Sequence, residues 1–399
     1  MKLLKTSGST LSTLLAFAII PLSGFAVDIY IPSLPDMAIK LNTNASAIQL
    51  TLSIYLISYG ACQLLIGSVL DSWGRRIPKL TGLLCFSIAS FIIAGTTSLE
   101  LVYVMRAIQG IAIATVIVSN RAYFLDLFSG EKLKHYTSLF SIVWTAAPII
   151  APFLGGYLQT QLGWQSNFHL LGYYGVLLFI LEWFFSTETL ATFQPFQTKA
   201  VIAIYKSMIQ TKDFIVCLMI LGLSYSMLMV YNMASPFIIE TVMHYSPKMT
   251  GNFALLSGVA MLLGGILSKT LIAKPFFKKV LFAFIIQFGA AGALIILTSQ
   301  IANLYTLLAY IMLLHTATGF IFNNILSYCL TRFPKNGGKA SGLTGGGYTI
   351  FTSAFSYALV SLVKIESQVV LGLSYGILII STLILFVFIK SHIPAEIKA

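Results

Sequence analysis

Apolar runs of about 20 residues recur along this chain, and that is the length a helix needs to cross the hydrocarbon core of a bilayer. They fall at Leu11–Ile31, Ala47–Leu70, Leu80–Thr97, Leu101–Phe124, Tyr136–Leu158 and Phe168–Phe185. A more polar stretch, Ser186 to Lys212, follows. Six more then occupy Phe214–Ile239, Gly251–Ile272, Val280–Thr298, Leu304–Leu330, Ala340–Val363 and Val370–Ile389. Only 9% of the 399 residues are charged, against roughly 25% in an average soluble domain. A water-facing surface cannot be built from that mixture, so lipid is the solvent for most of the chain. The expected fold is an all-α membrane protein of twelve transmembrane helices. It divides into a six-helix half (1–186), a linker (187–212) and a second six-helix half (213–399), with no room for a separate soluble domain.

The formal net charge is +12, but the cations lie between apolar runs rather than along one face, which argues against nucleic-acid binding. Counted in alternate loops, one set holds Lys2, Lys5, Arg75, Arg76, Lys79, Arg121, Lys132, Lys134, Lys199, Lys206, Lys212, Lys269, Lys274, Lys278, Lys279, Arg332, Lys335, Lys339, Lys390 and Lys398. The other holds only Lys40, Lys248 and Lys364. Cytoplasmic loops carry the excess of Lys and Arg, so both termini are expected in the cytoplasm. Lys2, Lys5 and Leu11–Ala26 imitate a secretory signal, yet the run continues past Asp28 and is read as a retained first helix. Cys62, Cys85, Cys217 and Cys329 lie inside apolar runs without metal-ligand spacing and read as small buried hydrophobes.

Few polar residues interrupt the apolar runs. Asp28 is the acid of the first span, in its outer half. Arg106, a full charge within the fourth span, should face a cavity or a partner, and Gln109 shares its face one turn on. Burial and a neighbouring cation act on a carboxylate's proton affinity in opposite senses, so a shared cavity would suit Asp28 to proton exchange. The loop Gly67-Ser-Val-Leu-Asp71-Ser-Trp-Gly74-Arg75-Arg76-Ile-Pro-Lys79 reads as a conformational latch. Gly67 would let helices approach closely, and Asp71, Arg75 and Arg76 would pair with neighbouring loops. In the fifth span Pro148 and Pro152, one turn apart, interrupt the backbone ladder, and Gly155-Gly156 permits close packing, as a hinge or seal between halves. Tyr30, Tyr55, Tyr59, Tyr231, Asn232 and Asn323, with Tyr225 and several Met residues, are candidates for a wall facing apolar ligands. Glu182 is expected at the membrane interface. The half-chain offset between Gly67 and Gly264-Gly265 suggests an internal repeat, eroded in the second copy. No phosphate loop, nucleophile–base set or metal cluster is present, so neither an enzyme nor ATP-driven transport is expected.

The Gly67–Arg76 spacing and Arg106-x-x-Gln109-Gly110 resemble the signature loop and fourth-helix motif of the major facilitator superfamily. Pro148, Pro152, Gly155 and Gly156 resemble the fifth-helix motif of its drug antiporters. Asp28-Ile-Tyr30-Ile-Pro32-Ser-Leu-Pro35, Gly163-Trp164, Glu188-Thr189-Leu190, Ala234-Ser-Pro236-Phe237 and Ala340-Ser341-Gly-Leu343 narrow the resemblance to the bicyclomycin-resistance (Bcr/CflA) family over nearly the whole chain. Gln165 departs from the Arg usual after that Trp. The resemblance implies a bacterial inner-membrane exporter of drugs or small metabolites driven by the proton gradient, with no bound cofactor. Its proton-coupling carboxylate would be Asp28 and its cavity-facing cation Arg106. The expected partners are a small-molecule substrate, protons and the bilayer, and the chain is expected to work as a monomer. The alternative is a dedicated carrier of one metabolite, such as a siderophore or an amino-acid derivative, working in either direction.

Overall fold

In hydrocarbon an unpaired backbone group finds no water, so each apolar run closes its own hydrogen bonds as a helix. The computed structural model describes residues 10–193, 198–334 and 337–389. Lys2, Lys5, Lys335, Lys390 and Lys398, and the side chain of Lys199, lie outside the described residues.

The first half begins with α1 (Thr10–Asp28), a 3-10 turn (Ile31–Ser33) and the short α2 (Leu34–Lys40). It continues through α3 (Ala45–Trp73), α4 (Arg76–Gly95), α5 (Leu99–Leu127), α6 (Gly130–Leu162) and α7 (Gln165–Phe185). The polar stretch holds an unexpected amphipathic helix, α8 (Thr198–Ile209). The second half starts with α9 (Lys212–Pro236), which runs on as a π-helical segment (Phe237–Val242), then α10 (Pro247–Thr270) and α11 (Phe276–Gln300). One span is built from α12 (Leu304–Tyr310), a π-helical turn (Ile311–His315) and α13 (Thr316–Thr331). α14 (Gly337–Leu362) and α15 (Gln368–Ile389) complete it.

Local chemistry sets the ends. The Asn44 and Ser98 side chains accept from the backbone N–H of Ala47 and Leu101, and Asn303 forms a capping box with Thr306, each meeting an orphan donor of a helix start. Gly74 and Gly163, both at positive φ, follow α3 and α6. Among the described residues, eleven stretches are long and apolar enough to cross a membrane. The twelfth, α14, has 26 residues, long enough at about 1.5 Å per residue, but Gly, Ser and Thr dilute its apolar face.

Within the first half α3 packs on α5, α4 on α5 and α7, and α1 on α6 and α7. Within the second, α9 packs on α14 and α15, α10 on α13, and α11 on α15. Two seams join the halves, α6 against α10 and α3 against α14. These pair the fifth span with the eighth and the second with the eleventh, so exchanging the halves maps one seam onto the other. The repeat that the loop sequences blur is plain in the packing.

The seams are tight toward one end only. Gly156 meets the Pro247 carbonyl and Gly251, Gly251 meets the Pro152 carbonyl, and Gly258 meets Ile149. Gly60 meets the Gly346 carbonyl, and Ser353 Oγ donates to the Ser53 carbonyl at 3.0 Å. Toward the end carrying Arg75, Arg76, Lys132 and Lys134, here called the basic end, the corresponding stretches of α3, α6 and α10 are mostly exposed or half-buried. Gly67 lies there, and a Cβ on it would meet nothing within 4 Å. The close approach expected at Gly67 is absent because the halves part at the basic end; Gly60 serves two turns earlier.

Candidate functional site

Asp28 is the last residue of α1 and is 3% exposed. Pro32 and Pro35 cannot carry an α-helical ladder onward, and the chain turns through Ile31–Ser33 into α2. Asn232 Nδ2, from α9 in the other half, donates to Asp28 Oδ1 at 3.3 Å. Among the described residues no Lys or Arg lies within ion-pair distance of Asp28.

Arg106 on α5 is fully buried. Its Nε donates to the Thr51 carbonyl (3.3 Å), and its Nη1 to the Ala26 carbonyl (2.9 Å) and Gln109 Oε1 (2.8 Å). Nη2 makes no hydrogen bond. The guanidinium lies 4.7 Å from the ring centre of Tyr30 and 4.4 Å from that of Tyr55, a cation–π sandwich. Gln109 Nε2 donates onward to Ser90 Oγ at 2.7 Å, and the Tyr30 hydroxyl shares a hydrogen bond with Thr51 Oγ1 at 2.9 Å. Arg106 thus reaches the carbonyl two residues before Asp28 and interacts with its charge without forming an ion pair.

Arg106, Gln109, Tyr30 and Tyr55 are therefore brought together, but as a closed cluster inside the first half; all four are fully buried, not an open cavity wall. A guanidinium at membrane depth persists where its donors and faces are occupied, and meeting that need wraps it in carbonyls and rings. Tyr59 is half-buried and stacks on Tyr55 with ring centres 6.0 Å apart. Tyr225 packs against Phe322 (5.4 Å) and Tyr348 (5.9 Å), which pack on each other (5.4 Å). Asp28, Tyr59 and Tyr348 are electrostatic neighbours of Tyr225. This aromatic group joins α9, α13 and α14. Phe322 and Tyr348 were not singled out from sequence, because an aromatic residue in an apolar helix carries no mark of the face it takes.

Two candidates fall elsewhere. Tyr231 follows a different face of α9 from Asn232, as consecutive helical residues must, and its ring packs edge-on against His315, centres 5.2 Å apart. His315 shares hydrogen bonds with Ser257 Oγ (2.7 Å) and the Tyr375 hydroxyl (2.9 Å), all within the second half. Asn323 donates to the Gly319 carbonyl of its own helix and rests against Gly265. Neither Tyr231 nor Asn323 contacts the Asp28 cluster.

In the loop after α3, Arg75 pairs with Asp71 (2.8 Å) and with Asp126 of α5 (3.3 Å). The backbone N–H groups of Arg75 and Arg76 donate to the Glu188 carboxylate at 2.9–3.1 Å, and Arg76 Nη2 donates to the Trp183 carbonyl at 2.8 Å. Gly74 is required twice over: its φ is +89°, and a Cβ would lie 2.4 Å from Glu188 Oε2. Glu182 is not interfacial as expected. It is 1% exposed and pairs with Lys79 at 2.5 Å, a buried ion pair between α4 and α7.

On α6 the helix runs unbroken through both prolines. Pro148 meets Gly24 of α1, and Gly155 lies so close to the Ile29 carbonyl that a Cβ would sit 1.6 Å from its oxygen. Gly156 faces the second half at Pro247. One face of α6 thus grips the segment around Asp28 while the next seals against α10.

The sequence model of the Major Facilitator Superfamily matches residues 16–356. The chain is 26% identical to multidrug resistance protein MdtL of Shewanella oneidensis, covering 94% of this chain and 95% of that protein. It is 23% identical to the bicyclomycin resistance protein homolog of Haemophilus influenzae, covering 92% and 93%. The fold superposes on the crystal structure of a D-xylose–proton symporter with a TM-score of 0.77 at 16% identity, covering 96% of this chain and 98% of that one.

Proposed function

The chain belongs to the Major Facilitator Superfamily, a multi-pass membrane transporter rather than an enzyme, and from that premise we propose that it exports drugs or small amphipathic metabolites by proton-coupled alternating access. The observation that carries the reading is the environment of Asp28: a buried carboxylate with no cation in contact, hydrogen-bonded across the two halves by Asn232. The resistance functions named for the relatives agree with it.

The loop charges favour a bacterial inner-membrane topology with the basic end in the cytoplasm. The seams tight at the opposite end then correspond to an inward-open state. In that state Asp28 gives its proton to water entering between the halves, and the ionised carboxylate attracts a cationic substrate toward the aromatic group of Tyr59, Tyr225 and Tyr348. When the opposite end opens, Asp28 takes a proton from outside, loses the charge that held the cation, and the substrate leaves. Arg106 keeps a fixed positive charge beside the exchange, and the proton gradient is the energy source. The chain acts as a monomer, its substrate path lying between its own halves.

Proton release from the purified protein on adding a cationic substrate is the test. Asp28→Asn should abolish the release and export of cations, with neutral compounds still able to bind. Release equal to the parent's would sink this role for Asp28. A dedicated carrier of one metabolite is the second reading, since the named resistance proteins share only 23–26% of their residues with this chain. Overexpression giving resistance to many unrelated drugs would reject it.

A further inference from the structure

A second carboxylate lies in the wall between the halves, at the sealed end and apart from the Asp28 cluster. Glu240 sits in the π-helical segment that continues α9. Its Oε1 accepts a hydrogen bond from Thr250 Oγ1 of α10 at 2.6 Å, and Thr250 is fully buried. The next residue, Gly251, is pressed against the Pro152 carbonyl of α6. Glu240 is thus anchored on the helix that forms the seal. From the first half, α2 packs against the same π-helical segment. It carries Asp36, which accepts from Gln159 Nε2 of α6 at 3.0 Å and is an electrostatic neighbour of Glu240.

The surrounding charges are few. Lys40 ends α2, and Lys248 on α10 lies over the Tyr157 ring of α6, 5.2 Å from its centre. Among the described residues neither forms an ion pair with either acid. Each carboxylate has instead a neutral partner from its own half. When the end seals, two half-buried acids from opposite halves are brought to one seam, and among the described residues neither is held in an ion pair. Two like charges so placed repel, and a proton on Glu240 relieves that repulsion. Opening the seam admits water and removes that need. Sealing and proton uptake are therefore linked, and each must favour the other to the same extent.

We propose that Glu240 is a second proton-binding carboxylate, loaded from the sealed end's side of the membrane, whose protonation permits that end to close. The proton adds to a carboxylate oxygen from external water when the end is open, and returns to water when the end reopens ionised. For an exporter driven by inward proton flow, this keeps the outer gate from closing until a proton has been taken. The inference rests on the proton-coupled reading above, but not on Asp28 being the coupling group.

Spin labels on Lys40→Cys and Tyr245→Cys, in full-length protein whose four cysteines are replaced, report the separation across the seam. In the parent, acidification should shift the distances toward the short, sealed population. Glu240→Gln, an isosteric stand-in for the neutral acid, should hold the short population at every pH, a complete loss of the shift. The infrared carbonyl band of a protonated carboxyl that appears on sealing should vanish in the same variant. Retention of both the shift and the band in Glu240→Gln overturns the proposal, as does a parent whose distances ignore pH. If Asp28→Asn loses the shift and Glu240→Gln keeps it, the sealing proton is on Asp28: this proposal falls and the coupling reading stands. If Glu240→Gln loses the shift while Asp28→Asn releases protons like the parent, the reverse holds.

Discussion

Arg106 shows what one charge demands of its surroundings at membrane depth. Its donors go to two main-chain carbonyls and Gln109, and its faces to Tyr30 and Tyr55. Lys could keep the charge but has neither a planar face nor a fork of donors. Arg106→Lys should therefore lower transport by at least about tenfold, because each buried acceptor left without its donor costs about 1–3 kcal/mol. Its melting temperature should fall as well. Uptake into inverted vesicles, read beside thermal unfolding, checks both; parental activity would show that charge alone suffices. Asp28 and Arg106 were legible in the sequence because a full charge in an apolar run is conspicuous. Glu240 was not, since it lies at the end of its run, where an acid ordinarily meets water. What packs against its segment is α2, contributed by the other half.

At the scale of the element, α6 and α3 place glycine in opposite surroundings. Gly155 has the Ile29 carbonyl against it, whereas Gly67 has nothing within 4 Å. Gly155→Val overpacks a closed contact, which costs about 1–3 kcal/mol or more, and should lower the melting temperature and abolish transport. Gly67→Val should leave stability within about 0.5 kcal/mol, as expected of a substitution that touches nothing, yet slow turnover if the proposed closing of the basic end packs α3 there. Thermal unfolding and vesicle transport of the two variants separate these effects. A Gly67→Val protein that turns over normally would mean the basic end never closes on that face. The Pro148–Pro152 segment was readable as a special helix. That its two faces grip α1 and seal α10 was not, because a glycine's neighbour is set by which helix happens to lie beside it.

The whole molecule is two six-helix bodies that meet along α6–α10 and α3–α14. All the ion pairs among the described residues lie within one half or the other. Across the halves there are instead small residues and a few hydrogen bonds, such as Gln49 Nε2 to the Met233 carbonyl at 2.8 Å and Asn232 to Asp28. Such contacts are weak one by one, a net of about 0.5–1.5 kcal/mol for a hydrogen bond, so the bodies can part without breaking a buried ion pair. Lys79–Glu182 and the Arg75–Asp126 group tie helices of the first body to one another. Orientation belongs to this scale too. A cysteine at Lys132 or Lys206 should react with an impermeant reagent only from the cytoplasm, and one at Lys40 only from outside; external labelling at position 132 would overturn the orientation.

Composition and spacing alone determined that this chain lives in lipid, that it crosses it about twelve times in two sets, and which charges inside the spans need explaining. Those are consequences of transfer free energy and helix length, which are properties of residues taken singly or in runs. Tertiary structure alone decided that Arg106 is wrapped rather than open, that Tyr231 and Asn323 turn away from Asp28, and that Asn232 reaches it across the halves. It also decided which end is sealed. Each of these depends on the rotation of one helix against another, and in hydrocarbon that rotation is set by packing between faces of nearly equal hydrophobicity, where sequence pattern carries least.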